Sequence, residues 1–203
     1  MLEITLIPFG YLIGSIPSAY LAGRLLRGVD IRDIGDGNVG TVNAYRSLSP
    51  RIGLSVLLAD ASKGAVVVTV AQIFATQAFV MMAGLAVVLG HIFPFWLAFR
   101  GGRGEATTIG VMAVLLPQAM VILAALCTIP FLLTRNTLIA GAILFAPLGL
   151  VVWLLGEPSL VVFFSSVLPS IVGVTHYFST RKLPRVTKKN AALMRWDPNH
   201  HSD

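Results

Sequence analysis

Residues 106–133, ATTIGVMAVLLPQAMVILAALCTIPFLL, contain no charged side chain, and their reading decides the fold. A membrane helix needs roughly 20 apolar residues, so Ala106 to Leu133 is too long for one upright span, and Pro117 interrupts it near the middle. Apolar runs near Ile4 to Leu25, Ile52 to Phe74 and Ala78 to Phe99 precede this block, and Leu138 to Leu155 and Leu160 to Phe178 follow it. Lys and Arg decide how the block is divided. Arg24, Arg27, Arg32, Arg46 and Arg51 flank the first long loop, Arg100 and Arg103 the next, Arg135 stands alone, and six more lie from Arg181 to Arg195. The connections around Thr76 and Gly156 to Pro158 have none. Cytoplasmic loops carry the excess of Lys and Arg, so the basic loops are assigned to the inner face and the N-terminus to the outer one. A single crossing by 106–133 would turn the basic C-terminal tail outward. Two short helices meeting at Pro117 and Gln118, where proline removes a backbone donor, keep it inside.

The expectation is an all-α polytopic membrane protein of about seven transmembrane helices, with the N-terminus outside and the C-terminus cytoplasmic. Residues 1–195 form one integral membrane domain and residues 196–203 a polar, disordered tail. The composition agrees: 56% of the 203 residues are hydrophobic and 12% charged, and the mean hydropathy is +0.82. The net charge of +6 is scattered over membrane-flanking loops, which argues against nucleic acid and for anionic lipid or a phosphorylated substrate. Cys127 is the lone cysteine, so no intrachain disulfide forms.

Two loops interrupt the apolar pattern. In GDGNVGTVNAYR, Gly35 to Arg46, the glycines Gly35, Gly37 and Gly40 permit φ > 0 and an anion-binding nest of N–H groups. Asn38 and Asn43 add amide donors, and Arg46 a planar fork suited to phosphate oxygens. A Gly/Asn-rich turn between helices reads equally well from this segment alone. In FRGGRG, Arg100, Gly101, Gly102, Arg103 and Gly104 stand before a helix N-terminus, whose free N–H groups and dipole favour anions; a positive-inside anchor would explain the arginines but not the glycines. Asp60 and Lys63, at i and i+3 inside an apolar run, can pair on one helix face, and intramembrane ionisable groups are by default functional. His91 and His176 lie near the inner ends of spans. There is no zinc-type His/Cys cluster, Walker motif or serine elbow, so neither a metal, a cofactor nor a hydrolase triad is expected. Polar motifs crowd one face rather than the midplane, against a transporter. The pocket suits a substrate with a phosphate head and an acyl tail.

Taken together, these motifs are similar to the PlsY-type acyl-phosphate:glycerol-3-phosphate acyltransferases. The resemblance runs through Gly14-Ser15-Ile16-Pro17, Gly28-Val29-Asp30-Ile31-Arg32 and the loop from Gly35 to Arg46. It continues through Asp60, Lys63-Gly64, Gly90-His91, Phe93-Pro94 and Phe99 to Gly104 with Ala106-Thr107. It implies a seven-helix bacterial plasma-membrane enzyme with its site on the cytoplasmic face, acyl phosphate as donor, glycerol 3-phosphate as acceptor and no metal. A partner enzyme would supply the donor. It also implies that Asn38, Arg46 and Arg103 contact phosphate, that Lys63 supports the site, and that His176 hydrogen-bonds near the reacting hydroxyl; Ser15, Asp60, His91, Thr107 and Ser179 are supporting positions.

The chain departs from the family at several places. Asp36 stands where the family has serine, and Arg103 and Glu105 stand where it has lysine and valine. Ser179 replaces an asparagine; Lys182 matches a basic place, and no later glutamate follows. An ionised Asp36 would repel a phosphate by roughly 4 kcal/mol per unit charge at about 4 Å and an effective dielectric near 20. Two expectations follow. Either Asp36 and Glu105 pair with Arg46, Arg100 or Arg103 in an active enzyme, with Asp36 available as a base, or the chain is an inactive paralogue that binds a lipid precursor or partner enzyme.

Overall fold

A computed structural model describes residues 2–181. Among them every regular element is helical: α1 Leu2–Gly14, α2 Ser18–Arg27, α3 Thr41–Ser47, α4 Pro50–Phe74, α5 Gln77–Ile92, α6 Glu105–Leu115, α7 Pro117–Thr134, α8 Thr137–Phe145, α9 Leu148–Leu154 and α10 Ser159–Arg181, with two short 3₁₀ turns. Among the described residues, six segments are long and apolar enough to cross a membrane: Glu3–Arg27, Pro50–Phe74, Gln77–Leu97, Pro117–Thr134, Thr137–Leu154 and Ser159–Ser179. Lys182 and the tail at 196–203 lie outside the described residues.

The block at 106–133 folds as two helices, but they are unequal. They join at Leu116, whose φ of −137° and ψ of 55° are not helical, and Pro117 opens α7, a position where its missing N–H costs nothing. α6 has 11 residues, about 16 Å of rise, whereas α7 has 18 and is itself long enough to span. The expectation of two short helices thus holds for α6 only. α6 packs closely against α4, because a Cβ at Gly110 would stand 1.9 Å from the Ala61 carbonyl oxygen and one at Gly64 2.2 Å from that of Thr107. Small residues at such seams let helix backbones approach in lipid.

The first span is also divided. Ile4 to Leu25 reads as one helix, but the chain leaves helical geometry at Ser15–Pro17. Proline supplies no N–H and disfavours α geometry at the preceding residue, here Ile16. α2 then exposes Leu21, Leu25 and Leu26 and carries Arg24 and Arg27 in its last turn.

The principal core joins α4, α5, α6, α7, α9 and α10 through Val67, Val87, Met112, Leu123, Val152 and Leu168, all buried. A smaller cluster of Ile31, Val39, Ala44, Leu48, Val56 and Leu97 seats the loop between α2 and α3. At the opposite end, the Glu3 carboxylate accepts the Thr76 N–H at 2.9 Å, tying the start of α1 to the turn between α4 and α5.

Candidate functional site at the meeting of two glycine loops

The loop between α2 and α3 is folded by its own polar groups. Gly35 has a φ of +61°, and a Cβ there would fall 1.9 Å from Asn43 Oδ1. Gly37 is likewise left-handed at +69°. Gly40 is extended, with a φ of −153°, so only two of the three glycines use the left-handed region. Asn43 is buried and is the hub of the loop. Its amide donates to the carbonyls of Ile31, Ile34 and Asn38 at 3.0–3.1 Å, while its Oδ1 accepts from Asp36 N–H and the Ser47 hydroxyl. An amide has two N–H donors, so Asn43 holds the loop and has none left for phosphate. Upstream, Asp30 accepts a forked pair from Arg32 at 2.7 and 3.0 Å and a bond from Arg24 at 3.0 Å. The Arg32 hydrogen bonds hold the Asp30 carboxyl well below the usual carboxylate range.

The second loop, Phe93 to Gly104, folds back onto the end of α5. Gly101 N–H donates to Ile92 O and Gly102 N–H to His91 O, both at 3.1 Å. These amides are therefore committed to backbone, not aimed at a ligand. A Cβ on Gly102 would stand 2.2 Å from His91 Nε2 and 2.8 Å from Val39 O, so glycine here lets the two loops touch. Across that seam Arg103 Nη2 donates to Asp36 Oδ2 at 2.9 Å, and Asp36 Oδ1 accepts from Asn38 N–H. Of the three arginines that Asp36 was expected to pair with, Arg103 is the partner.

Glu105 takes a different one. Its carboxylate meets His176 Nδ1 on α10, where an arginine was expected. The same turn of α10 brings the Thr175 hydroxyl to Arg103 O at 3.2 Å and Ser179 Oγ to Arg103 Nε at 3.5 Å. Arg46 on α3 and Arg100 are exposed, and neither has a carboxylate partner among the described residues. α6 begins at Glu105 after Gly104, and its first hydrogen bond runs from Thr108 N–H to Gly104 O, so the preceding N–H groups of the helix are without intrahelical acceptors.

Lys63, Asp60 and His91 form a buried cluster beneath this surface. Lys63 Nζ lies 2.8 Å from Asp60 Oδ1 and donates to Ile16 O at 2.8 Å and Gly14 O at 3.3 Å. His91 Nδ1 is 3.4 Å from Lys63 Nζ and 3.6 Å from Asp60 Oδ1. Lys63 on α4 thereby ties off the Gly14 and Ile16 carbonyls and braces the break between α1 and α2, with Asp60 as its ion-pair partner. Ser15 is fully buried and donates to Tyr11 O. Thr107 is fully buried in the α4–α6 seam. A cavity of about 10 Å³ lined by Ser15, Ile16, Pro17, His91, Gly101 and Gly102 separates this cluster from the loops, room for about one water.

Among the described residues no group of three His, Cys, Asp or Glu is placed to hold a metal ion. Sequence reading missed Glu105 as a histidine partner and Thr175 altogether; residues 71 and 72 positions apart in sequence give no local signal of contact.

The family model described as Glycerol-3-phosphate acyltransferase matches residues 4–185. The chain is 47% identical over 173 residues to glycerol-3-phosphate acyltransferase 4 of Dehalococcoides mccartyi, covering 85% of this chain and 94% of that one. It is 46% identical over 143 residues to the glycerol-3-phosphate acyltransferase of Myxococcus xanthus, covering 68% and 74%. The crystal structure of PlsY (YgiH), an integral membrane glycerol 3-phosphate acyltransferase, in its glycerol 3-phosphate form matches with a TM-score of 0.81 at 28% identity, over 95% of this chain and 99% of that one. With sequence and backbone agreeing over nearly the whole length, both glycine loops included, the chain belongs to the glycerol-3-phosphate acyltransferase family.

Proposed function

We propose that the chain transfers a fatty acyl group from acyl phosphate to a hydroxyl of glycerol 3-phosphate, giving 1-acylglycerol 3-phosphate and inorganic phosphate. The observation that carries this reading is the seam between the glycine loops. Arg103 reaches Asp36 there, beside the start of α6, in a chain whose relatives are named glycerol-3-phosphate acyltransferases.

Acyl phosphate is a mixed anhydride and already activated, so the protein's work is to orient the reactants and stabilise developing charge. Arg46 and Arg100 draw in the phosphates. A phosphate monoester carries a charge of about −1.5 to −2, against −1 for a carboxylate, so an incoming headgroup outcompetes Asp36 for Arg103. Asn38 adds an amide, and the N–H groups opening α6 face the anion. His176 hydrogen-bonds the attacking hydroxyl. The hydroxyl oxygen adds to the acyl carbonyl, phosphate leaves with the electron pair of the broken C–O bond, and the hydroxyl proton goes to the departing phosphate. The acyl tail stays in lipid.

The excess of Lys and Arg in these loops supports a cytoplasmic face for the site under the positive-inside rule, and with it an outer N-terminus and about seven helical crossings. The donor's hydrophobic tail favours delivery along the membrane by the enzyme that makes it. Purified protein supplied with acyl phosphate and glycerol 3-phosphate should release phosphate in step with lysophosphatidic acid. Arg46→Ala should raise the KM for glycerol 3-phosphate roughly tenfold or more, as expected for a lost charge-assisted hydrogen bond. Phosphate release no faster than spontaneous hydrolysis would refute the reading.

A further inference from the structure

We propose that α2 carries a binding site for an anionic phospholipid of the leaflet that meets the glycine loops: Arg24 and Arg27 hold the headgroup phosphate, and an acyl chain lies along Leu21 and Leu25. The inference goes beyond acyl transfer and does not depend on it, because these residues stand outside the seam between Asp36 and Arg103.

α2 has three faces. Ala19 and Gly23, one turn apart, are buried, and a Cβ at Gly23 would stand 3.0 Å from the Val29 carbonyl oxygen, so this side packs on the chain that returns from the helix. Leu21 and Leu25, also one turn apart, are exposed, Leu25 to 78%. Tyr20, Arg24 and Arg27 follow the i, i+4, i+7 line of a third face. A helix that is apolar on one exposed side and basic on the other suits the boundary between acyl chains and headgroups. α2 forms the end of the first candidate span, Glu3–Arg27, where that boundary falls.

The basic face is held in place by its own contacts. Gly28, at a φ of +68°, closes α2 by donating its N–H to Arg24 O, and Val29 N–H reaches back to Gly23 O. This left-handed turn, which favours glycine, brings Asp30 back to Arg24, whose Nη2 donates to it at 3.0 Å. The Tyr20 ring packs against two guanidinium groups, 5.5 Å from that of Arg24 and 5.1 Å from that of Arg32, and its hydroxyl accepts from Arg24 Nε at 3.3 Å. Arg24 therefore uses two of its five N–H donors and keeps a side chain that is 47% exposed. Arg27, one turn on, is exposed and has no carboxylate partner among the described residues. The nearby acids, Asp30 and Asp33, act mainly on Arg32, so the excess positive charge lies with Arg24 and Arg27.

The occupant follows from both exposed faces together. Inorganic phosphate would use the arginines and leave the leucines without a partner, and a neutral lipid would do the reverse. A lipid with an anionic head and an acyl chain uses both. Each arginine beside an anionic leaflet raises affinity about fivefold, so the pair makes a preference of about twentyfold.

Photolabelling in nanodiscs of phosphatidylcholine tests the site. The full chain is exposed, at low ionic strength, to a trace of photoreactive phosphatidylglycerol or photoreactive phosphatidylcholine, and the labelled peptides are read by mass spectrometry. Phosphatidylglycerol should label residues 18–32 about twentyfold more than phosphatidylcholine does. Arg27→Gln, which removes no contact within the fold, should cut that preference about fivefold, and Arg24→Gln with Arg27→Gln should bring it to the phosphatidylcholine level. Saturating glycerol 3-phosphate should leave the labelling unchanged. Equal labelling by the two lipids overturns the proposal, since α2 would then make only the contacts of any lipid-facing helix. A preference that survives the double substitution overturns it as well. Loss of the label on adding glycerol 3-phosphate would assign the lipid to the glycine loops and overturn the site on α2.

Discussion

Asp60 and Asp36 each hold a cation, and the depth at which they do so separates their roles. Asp60 is 1% exposed, and its partner Lys63 also ties off the Gly14 and Ile16 carbonyls that the break in the first span leaves without helical donors. Asp36 has a side chain 28% exposed and meets Arg103 across the seam between two loops. Both pairs are short. A ligand reaching the buried pair would have to open the bundle, whereas a phosphate can reach the pair at the lip and replace Asp36. The same ion-pair chemistry thus makes a brace in one place and an exchangeable latch in the other.

The contrast breaks most visibly at the brace. Lys63→Met leaves Asp60 buried without its cation, and removing one partner of such a pair costs roughly 3–5 kcal/mol. Unfolding in mixed micelles should show that loss, and adding Asp60→Asn should recover most of it. Arg103→Ala, which removes the cation at the lip, should cost less than about 1 kcal/mol. Equal costs for the two would erase the distinction.

Asp30 lies between these extremes, with a side chain 7% exposed but partners, Arg24 and Arg32, that reach solvent. Its carboxyl is held low chiefly by the Arg32 hydrogen bonds. A depressed carboxyl contributes stability that is present in full above the ordinary value of 3.8 and lost as pH falls toward the depressed one. Asp30 also caps the 3₁₀ turn that follows it, so Asp30→Asn should lower stability by about 1 kcal/mol at neutral pH. The gap in unfolding midpoint should stay constant from pH 7 to about 5 and close below about pH 4. A gap that widens on acidification would reverse the assigned sign.

The depth contrast also explains what could be read from sequence. The Asp60–Lys63 pair is legible because i and i+3 share a helix face, and the division of 106–133 into two helices because Pro117 interrupts it. The break at Ser15–Pro17 was hidden, since hydropathy runs unbroken from Ile4 to Leu25 and only the buried Lys63, 47 residues from Ile16, reveals why the chain can leave the helix there. Asn43 looked like a ligand contact because asparagines in glycine loops bind anions; its inward turn depends on three carbonyls whose positions local sequence does not fix. The contact of Glu105 with His176 spans 71 residues and rests on how α10 docks. Sequence names the groups at the site, and packing decides which of them face a ligand.

The central claim is that Asp36 and an incoming phosphate compete for Arg103. The most direct test is the KM for glycerol 3-phosphate in Asp36→Ser, the residue the family resemblance puts at this position. Removing the competing carboxylate should lower that KM roughly tenfold, a fraction of the ~4 kcal/mol repulsion of an unscreened pair, with little change in stability. A KM that is unchanged or higher would mean that the carboxylate does not stand in the headgroup's place, and the latch would be contradicted.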